Sequence, residues 1–565
     1  MHDLRKHPLA AALALSLFCG NAAAQTPPDA GALRQQIEQG REATLPRKAL
    51  PTQPATPKAM RPLSGVLVTV TQFRLAGNTL LGTEQLQPAL APFLNRPLDY
   101  TQLQAAAAAV ADVYRAAGWI VRAYLPEQDV VGGVVTIQII EAVFGGVQLE
   151  GPAATRVPLA QILRGFDAQQ KVGAPLNTDA IDRALLLVDD LPGVVVTGSL
   201  REGAQASQTD LVIKLGDEPL VVGEVNLDNT GSRSTGANRL SANINLNSPF
   251  QQGDLLSANL IHTEGSDYVR LGGTLPVGDK GWRVGANAST MRYRLVTAEF
   301  AALDSTGTSG TAALEASYPI IRARQHNLYF NASLEHKSFD NQANAATATH
   351  YQADNLNLSL AGNLFDNLGG GGANSASLTY TSGRLDLSGS PNQAADAGNA
   401  QTDGAFSKLR YSASRQQIIT DDLSLYAAVS GQWASKNLDS SEKFFLGGAN
   451  GVRAYPSSEA GGSSGQLLNL ELRYRLPQGF TLIGFYDVGQ VTVNANNNFA
   501  SAPALNDYAL KGAGLALAWQ GETGWSFKAT WARRIGDNPN PSATGTDQDG
   551  SLVTDRLWLS ATLSF

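Results

Sequence analysis

One short run in the sequence has the spacing of a catalytic serine motif. Gly461-Gly462-Ser463-Ser464-Gly465 matches G-x-S-x-G, in which a serine on a sharp turn attacks a carbonyl carbon. That chemistry requires a strand before the serine and a helix after it. Here the run lies in a long loop, so the sequence argues against a hydrolase, and we expect that the protein is not an enzyme.

Metal-binding patterns are equally weak. After residue 24 the chain has four histidines, at positions 262, 326, 336 and 350, and their separations match no metal site. Asp547-Gln548-Asp549-Gly550 begins like a calcium loop but lacks the glutamate that completes one. We interpret this run as a solvated external loop, and we expect neither a metal nor a cofactor.

An ion pair is the stronger chemical candidate. Arg453 lies in the longest stretch without a predicted strand, 438–465, and Asp487 lies on a predicted strand. Alternation along that strand places Asp487 on the face opposite Tyr486, and a carboxylate in lipid is costly, so we take the Asp487 face as the interior. If the loop folds inward the two charges can meet. The alternative is a surface arginine and an unrelated interior aspartate.

The strand that carries Asp487 is one of sixteen that the sequence predicts within 218–565. In the last of them, Leu557, Leu559 and Leu563 share one face with polar residues on the other, and Trp558 is the exception. A soluble sandwich would hide such an apolar face behind a second sheet, whereas a lipid-facing barrel needs no second layer. The segments are 219–229, 237–248, 253–264, 267–277, 280–295, 308–321, 325–340, 349–366, 373–387, 405–420, 423–437, 466–476, 480–493, 508–520, 525–535 and 552–565.

The connections between these segments are alternately short and long. Residues 421–422, 477–479 and 521–524 are short turns, and the long ones are 296–307, 388–404, 438–465, 494–507 and 536–551. An even number of strands with short turns at one end and long loops at the other is typical of a bacterial outer-membrane barrel. Closure of such a barrel pairs the backbone N–H and C=O groups that lipid would leave unsatisfied.

The N-terminal region reads as an export signal followed by a short helix on a tether. Residues 1–24 have the basic start, apolar run and small-x-small end of a secretory signal. The next segment, 25–45, contains a predicted helix at 28–44, and a Pro-rich linker follows at 46–64. On this helix Leu33 and Ile37 share one face, and Arg34 and Glu38 are spaced for an i,i+4 ion pair. So little apolar surface cannot hold the helix alone, so it either docks elsewhere or belongs to a disordered leader.

Two small α/β units follow, at 65–143 and 144–217. Both show the order strand, helix, helix, strand, strand, which indicates a tandem repeat. Each unit can bury one face of a small sheet under two helices. Each sheet also has edge strands that can accept an extended peptide.

Composition limits the partners of the protein. The 565 residues include 42 Lys+Arg and 49 Asp+Glu, a net charge of −7, so no basic excess favours nucleic acid. Charged residues make up only 16%, below the roughly 25% of soluble domains. A single cysteine excludes an intramolecular disulfide. Together with the strand pattern, this predicts a protein whose surroundings are outer-membrane lipid.

The long loop contains Val452-Arg453-Ala454-Tyr455, and the strand of Asp487 contains Phe485, Asp487 and Gly489 in the pattern F-x-D-x-G. In this order and spacing, the motifs resemble those of the outer-membrane transporters of two-partner secretion, the TpsB type that exports haemolysins and filamentous haemagglutinins. The loop motif of that family is VRGY, which is matched here with Ala454 in place of glycine, and its strand motif F-x-D-x-G is matched in full. Pro126-Glu127-Gln128-Asp129 resembles the end of the first POTRA domain of the family, although Glu141-Ala142 departs from the usual Glu-Gly.

The resemblance implies a mainly β fold: a 16-stranded transmembrane β-barrel at 218–565, preceded by two α/β POTRA domains and an N-terminal plug helix at 25–45. The family's POTRA domains bind a large, unfolded secreted exoprotein of TpsA type in the periplasm. By the same resemblance, the plug helix is expected to block the resting pore and to leave on activation, and the loop carrying Arg453 is expected to fold into the lumen and pair with Asp487. Because the periplasm has no nucleotide fuel, folding of the partner outside is the expected driving force of export.

The expected setting is the outer membrane of a Gram-negative bacterium, with the POTRA domains in the periplasm and a monomeric pore. Two alternatives remain open at this point. One is a barrel-assembly insertase, which usually has more POTRA domains than this chain can hold. The other is a passive porin, which lacks POTRA domains and a plug helix.

Overall fold

The computed structural model describes residues 27–40, 45, 67–205 and 207–565. The predicted signal segment 1–24 and linker 46–64 lie outside the described residues, as do 25–26 and 41–44 of the predicted plug segment. Within the described part, the N-terminal helix, the two α/β units and the sixteen-stranded barrel that the sequence predicts are all present.

The N-terminal helix α1 spans Ala30–Gln39, so it starts two residues later than the predicted helix at 28–44, of which 41–44 lie outside the described residues. Its start is fixed by Asp29, whose carboxylate accepts a hydrogen bond from the Ala32 N–H at 2.8 Å. This is the N-cap geometry that satisfies one of the free N–H groups of a first turn.

The first α/β unit contains a three-stranded sheet in the order β2-β5-β4, with β2 parallel to β5 and β4 antiparallel to it. Leu86, Tyr114 and Ile137 are fully buried where the helices pack on the sheet. The elements are β1 (Val68–Thr69), β2 (Gln72–Ala76), α2 (Thr83–Leu90), β3 (Pro97–Leu98), α3 (Tyr100–Ala116), β4 (Val121–Tyr124) and β5 (Val134–Glu141).

The second unit repeats this arrangement, with a sheet in the order β6-β8-β7. Ile162, Phe166 and Leu211 are buried between its helices and its sheet. The elements are β6 (Val143–Leu149), α4 (Leu159–Gln169), α5 (Thr178–Asp189), β7 (Val194–Glu202) and β8 (Gln208–Asp217).

Sixteen antiparallel strands form the closed barrel, and every strand end lies within three residues of its predicted position. The strands are β9 (Val221–Asp228), β10 (Arg239–Asn247), β11 (Leu255–Thr263), β12 (Ser266–Val277), β13 (Trp282–Arg294), β14 (Thr306–Arg322), β15 (His326–Ala343), β16 (Ala346–Asp366), β17 (Gly372–Asp386), β18 (Gly404–Ile418), β19 (Leu423–Ala434), β22 (Ser464–Arg475), β23 (Phe480–Thr492), β24 (Asp507–Gln520), β25 (Trp525–Arg534) and β26 (Asp555–Ser564). Two short strands, β20 (Phe444–Phe445) and β21 (Gly461–Gly462), pair within the long loop, and a helix α6 (Gln393–Gly398) lies between β17 and β18.

Closure of the barrel joins its first strand to its last. β9 pairs with β10 on one side and with β26 on the other. Beyond the β9–β26 register, Gly223 and Phe565 exchange two backbone hydrogen bonds of 2.9 Å. Apolar residues face outward around the ring, for example Leu314, Leu334, Leu515 and Leu559, all of them exposed. No helix among the described residues is long and apolar enough to cross a membrane.

Ion pairs join the second α/β unit to the turn between β14 and β15. The Arg322 guanidinium makes two hydrogen bonds to Asp190, of 2.7 and 2.8 Å, and Arg324 makes two to Asp182, of 2.8 and 2.7 Å. Arg183 on α5 donates to the Pro319 carbonyl at 2.7 Å. Because these are paired, planar contacts, they fix the orientation of the unit as well as its position.

Candidate functional site in the barrel lumen

The loop 438–465 folds back into the barrel instead of extending outward. The β20–β21 pairing closes its base, and the segment between them reaches the lumen wall. Leu446, Val452 and Tyr455 of this segment are essentially fully buried. The Val452 N–H donates to the Leu446 carbonyl at 2.7 Å, which makes the tip a compact turn.

Arg453, at the tip of this turn, is held by Asp487 on β23. The Arg453 Nε and Nη2 atoms lie 2.8 and 2.6 Å from the two carboxylate oxygens of Asp487, and the Arg453 backbone N–H donates to the same carboxylate at 3.1 Å. The Asp487 side chain is fully buried, and 6% of the Arg453 side chain is exposed. The structure therefore brings together two residues that are 34 positions apart, in a two-pronged contact shielded from water.

Two neighbouring side chains complete the environment of Arg453. Its Nη1 donates to the Glu471 carboxylate at 2.7 Å, and Glu471 is in turn paired with Arg473 at 2.7 Å. The guanidinium also lies over the Phe485 ring, 3.6 Å from its centre. Phe485 thus contributes a cation–π contact beside Asp487 in the same strand.

Trp558 on β26 holds the loop tip through a further contact with Arg453. Its indole N–H donates to the Arg453 carbonyl at 2.7 Å, and the residue is buried. In the sequence, Trp558 stands out only as an exception to the polar face of its strand. That exception was a usable signal, since a large aromatic side chain pointing into a polar lumen requires a specific partner.

Small residues around the loop tip allow its close approach to the wall. A β-carbon on Gly489 would come within 2.6 Å of the Leu446 side chain, so the glycine of the strand motif makes room for the loop. Ala454 is fully buried, and its β-carbon lies against Gly512. The Ala454 backbone is not in the left-handed region, so alanine at this position in place of glycine requires no strained conformation.

The Asp547–Gly550 run is not the solvated loop expected from the sequence. Asp547 and Asp549 are buried, and both carboxylates contact Arg556 on β26. Asp547 also pairs with Arg534, whose guanidinium lies 4.7 Å from the centre of the Tyr455 ring. The prediction was wrong because the external loops pack on one another above the tip of the lumen loop, which the local sequence does not encode.

Helix α1 lies inside the barrel. Leu33 is buried and Ile37 is partly buried in an apolar cluster formed by inward-facing residues of the wall, namely Tyr268, Met291, Tyr293, Phe339, Tyr351 and Leu385. Arg34 donates to the Gly310 carbonyl at 3.2 Å and lies 3.8 Å from Glu38. Glu38 accepts a hydrogen bond from the Tyr268 hydroxyl at 2.9 Å and pairs with Arg270 at 3.4 Å.

Helix α1 also contacts the lumen loop directly. The Ser440 hydroxyl lies 2.8 Å from both carboxylate oxygens of Asp29. The side-chain amide of Gln39 donates to the Phe445 carbonyl at 2.9 Å and accepts from the Phe445 N–H at 3.2 Å. The helix and the loop therefore occupy the lumen as one packed body.

A second anchor of the loop, which the sequence analysis missed, lies at Glu442. Its carboxylate contacts Lys337 on β15 at 2.8 Å and Lys408 on β18 at 2.5 Å. Asn355 also donates to it, at 2.9 Å. All three charged side chains are largely buried. Inward-facing lysines on predicted strands were the available signal, but only the loop fold shows which carboxylate reaches them.

Below the helix, the wall of β15–β18 is lined by hydroxyl and amide groups bonded in pairs across the strands. Ser375 pairs with Ser414 and Ser377 with Ser412, each at 2.8 Å. Thr379 donates to Ser359 at 3.1 Å. This part of the lumen is polar and uncharged, and it leads from the periplasmic turns towards helix α1.

The serine motif has no catalytic geometry. Ser463 lies between β21 and β22, and no helix follows it. Its hydroxyl donates to the Val493 carbonyl at 3.0 Å and accepts from the Leu438 N–H at 3.0 Å, so it holds the loop base. Among the residues that the structure describes, no group of histidine, cysteine and carboxylate side chains is arranged to hold a metal ion.

Comparison with known proteins gives two family matches. Residues 207–518, more than half of the chain, match the family described as haemolysin secretion/activation protein ShlB/FhaC/HecB. Residues 68–142 match the POTRA domain, ShlB-type.

Individual relatives span most of the chain. The heme/hemopexin transporter protein HuxB of Haemophilus influenzae is 25% identical over 526 residues, covering 91% of this chain and 92% of HuxB. The outer membrane transporter CdiB of Dickeya dadantii strain 3937 is 26% identical over 454 residues, 78% of each chain. The structure of CdiB from Escherichia coli is similar with a TM-score of 0.69 at 22% identity, covering 91% of this chain and 94% of that one, which shows a shared fold.

Proposed function

The chain belongs to the haemolysin secretion/activation protein family ShlB/FhaC/HecB and is an outer-membrane transporter that secretes a partner exoprotein, and from this premise we propose how its parts divide the work. The α/β units capture the unfolded exoprotein, the barrel conducts it, and helix α1 with the lumen loop closes the barrel between export events. The observation that carries this proposal is a helix seated inside a closed sixteen-stranded barrel.

Capture takes place on the two α/β units in the periplasm, which we assign to 65–143 and 144–217, with the barrel at 218–565. The sheets support this role because β2 and β4 lie at the edges of one sheet and β6 and β7 at the edges of the other. An extended chain can add to such an edge through backbone hydrogen bonds, which require no particular sequence in the exported protein.

Helix α1 acts as a removable plug. Its ten residues are held by the packing of Leu33 and Ile37 and by side-chain hydrogen bonds and ion pairs, and α1 is not covalently joined to the wall except through the chain that leads to residue 67. A helix held in this way can leave the lumen without opening the barrel, because the backbone hydrogen bonds that close the wall run between neighbouring strands.

The Arg453–Asp487 contact holds the lumen loop in place. Because both charges are buried, removal of Arg453 takes away the ion-pair partner of Asp487, and removal of Asp487 leaves Arg453 with Glu471 alone. We assign to this pair the role of fixing the loop so that it supports the plug in the resting protein and keeps a defined shape when the plug has left.

Secretion and conductance together test the proposed function. The chain is expressed with a large candidate exoprotein, and exoprotein in the medium is measured. In planar bilayers, we expect low, flickering conductance from the full chain and a clear rise when residues 25–46 are deleted. No rise would contradict the plug, and steady high conductance from the full chain would favour a passive porin instead.

A further inference from the structure

Four cationic side chains on the lumen wall contact groups that come mainly from elements outside the wall, carboxylates for three of them and an amide oxygen for the fourth. The cations are Arg270 on β12, Lys337 on β15, and Lys408 and Arg410 on β18. All four line a single cavity of about 320 Å³ beside helix α1. Strands hold these groups in place, since each strand is bonded on both sides around the ring.

Helix α1 and the lumen loop supply most of the negative charge that faces this group. Glu38 of the helix contacts Arg270 at 3.4 Å. Glu442 of the loop contacts Lys337 at 2.8 Å and Lys408 at 2.5 Å. Gln39 of the helix accepts a hydrogen bond from Arg410 at 3.3 Å, through its amide oxygen.

The wall itself has few carboxylates at this cavity to neutralise its four cations. Of the wall residues that line it, Glu335 is the one carboxylate, and it lies 3.4 Å from Lys337. Without the helix and the loop, the wall would therefore present four cations and one carboxylate. Charges in a narrow lumen are screened less than charges on an open surface, so such a wall attracts carboxylates.

The location of the cations fits the path of an exported chain. β15 runs outward from the periplasmic turn, and Ser333 precedes Glu335 and Lys337 along it. β18 runs in the opposite direction, and Lys408 and Arg410 precede Ser412 and Ser414. A chain that enters from the periplasm thus passes the uncharged hydroxyl wall first and then reaches the cations.

We propose that these four residues form a binding wall for acidic segments of the exported polypeptide, and that Glu38 and Glu442 occupy it in the resting protein as internal substitutes. The carboxylates of an arriving acidic segment replace those of the helix and the loop on the wall. The cations of the wall therefore stay paired throughout the exchange. The inference rests on the proposed function, because it names the side chains that the exported chain must present.

A peptide blockade experiment tests the wall. Decaglutamate is added on the periplasmic side of the full-length protein in planar bilayers, with decalysine as the opposite-charge probe. We expect decaglutamate to reduce the open current at low salt and to lose this effect at high salt. The Lys337→Gln/Arg410→Gln variant should need about fivefold or more decaglutamate for the same block, the change that a modest ion pair provides.

Two single variants give the matched controls. Lys528→Gln removes an inward-facing lysine of β25, which does not line the cavity, and should leave the block unchanged. Glu335→Gln makes the wall more basic and should strengthen the block. Equal effects of Lys528→Gln and the double variant, or equal block by decalysine, would overturn the binding wall.

A secretion assay separates this inference from the proposed function. If the Lys337→Gln/Arg410→Gln variant loses the block of its current by decaglutamate and also secretes more slowly, the result supports the binding wall. Loss of block with unchanged secretion would overturn its role in transport while the transporter itself stands. Absence of secretion by the unaltered chain would instead contradict the proposed function.

Discussion

The methyl group of Ala454 lies against Gly512 on β24, so closely that a β-carbon on Gly512 would come within 2.7 Å of it. One residue belongs to the tip of the lumen loop and the other to the wall. The contact explains how alanine fits at a position where the family motif has glycine. Because Gly512 has no side chain, the wall leaves space for the methyl group of Ala454.

Gly512→Ala should therefore disturb the loop tip. The added methyl group overlaps that of Ala454, and overpacking of this kind costs about 1–3 kcal/mol. We expect faster tryptic cleavage in 447–456 and reduced secretion. Ala454→Gly in the same chain should restore both, because it removes the other member of the clash. Failure of the double variant to recover would show that Gly512 acts through a different neighbour.

Arg453→Ala and Asp487→Ala should each leave the barrel assembled but reduce secretion sharply. Arg453→Ala leaves the buried Asp487 carboxylate without its ion-pair partner, and Asp487→Ala leaves Arg453 with Glu471 alone. Breaking a buried pair typically costs about 3–5 kcal/mol, which weakens the attachment of the loop tip. Heat-modifiable migration in gels reports barrel assembly, and exoprotein in the medium reports secretion. Arg533→Ala, at an exposed residue of β25, is the control. Normal secretion by both variants would remove this pair from the mechanism.

Gly31→Leu should displace helix α1 from the lumen. A β-carbon at Gly31 would lie 2.7 Å from the Ser440 and Tyr351 hydroxyl oxygens, so a leucine has no space there. We expect a higher mean conductance in planar bilayers. Gly40→Ala is the matched control, since its β-carbon would have no neighbour closer than 3.6 Å. Equal currents from the two variants would argue that α1 does not limit conduction.

Arg322→Gln combined with Arg324→Gln should loosen the second α/β unit from the barrel. These arginines make the two-pronged contacts with Asp190 and Asp182, and glutamine cannot replace them. Spin labels at Val172→Cys and Leu368→Cys, both exposed sites, should show a narrow distance distribution that broadens in the double variant. Arg115→Gln, in an exposed pair of the first unit, should change nothing. An unaltered distribution would mean that other contacts fix the unit.

The first α/β unit should lose a local restraint in acid. Burial acts to raise the pKa of Glu141, but hydrogen bonds from Thr79, the Leu80 N–H and Tyr114 outweigh it and lower the pKa below the ordinary value. A lowered folded-state pKa adds stability above the unfolded-state value, and this is lost as the pH falls through the folded-state value.

Hydrogen exchange of residues 79–81 checks this expectation. In the full-length protein, Glu141→Gln should speed their exchange at pH 7, and the difference from the unaltered chain should shrink as the pH falls below 4.5, the ordinary value for glutamate. Glu127→Gln, at an exposed position of the same unit, should exchange like the unaltered chain. A difference that persists in acid would contradict a role for the Glu141 charge.

The barrel was predictable because its signal is local. Side chains alternate with period two along each strand, so lipid-facing and lumen-facing residues separate in the sequence itself. Turn residues then mark the ends, and all sixteen strands were found. The contents of the lumen were not predictable in the same way, because the 28-residue loop 438–465 has no periodic pattern that indicates where it folds.

Glu442 and Asp547 illustrate that limit of local sequence. Each is an acidic residue in a loop, where a solvated side chain is the usual outcome. Each is instead buried against cations of the barrel strands. Lys337 and Lys408 lie far from Glu442 in the sequence, so only the assembled barrel brings them to it, whereas Arg534 and Arg556 lie on the two strands that flank the loop of Asp547. The burial of Asp547 depends on the packing of the external loops, which the local sequence does not reveal.

The paired serines and threonines of β15–β18 have a consequence for the speed of passage. A backbone amide sliding past Ser377 or Thr379 trades one weak bond for another of nearly equal strength, with water as a third competitor. Successive positions of the polypeptide along this wall then have nearly equal binding free energy. The wall therefore holds the polypeptide at no particular position, and its net movement depends on a force that acts outside the cell.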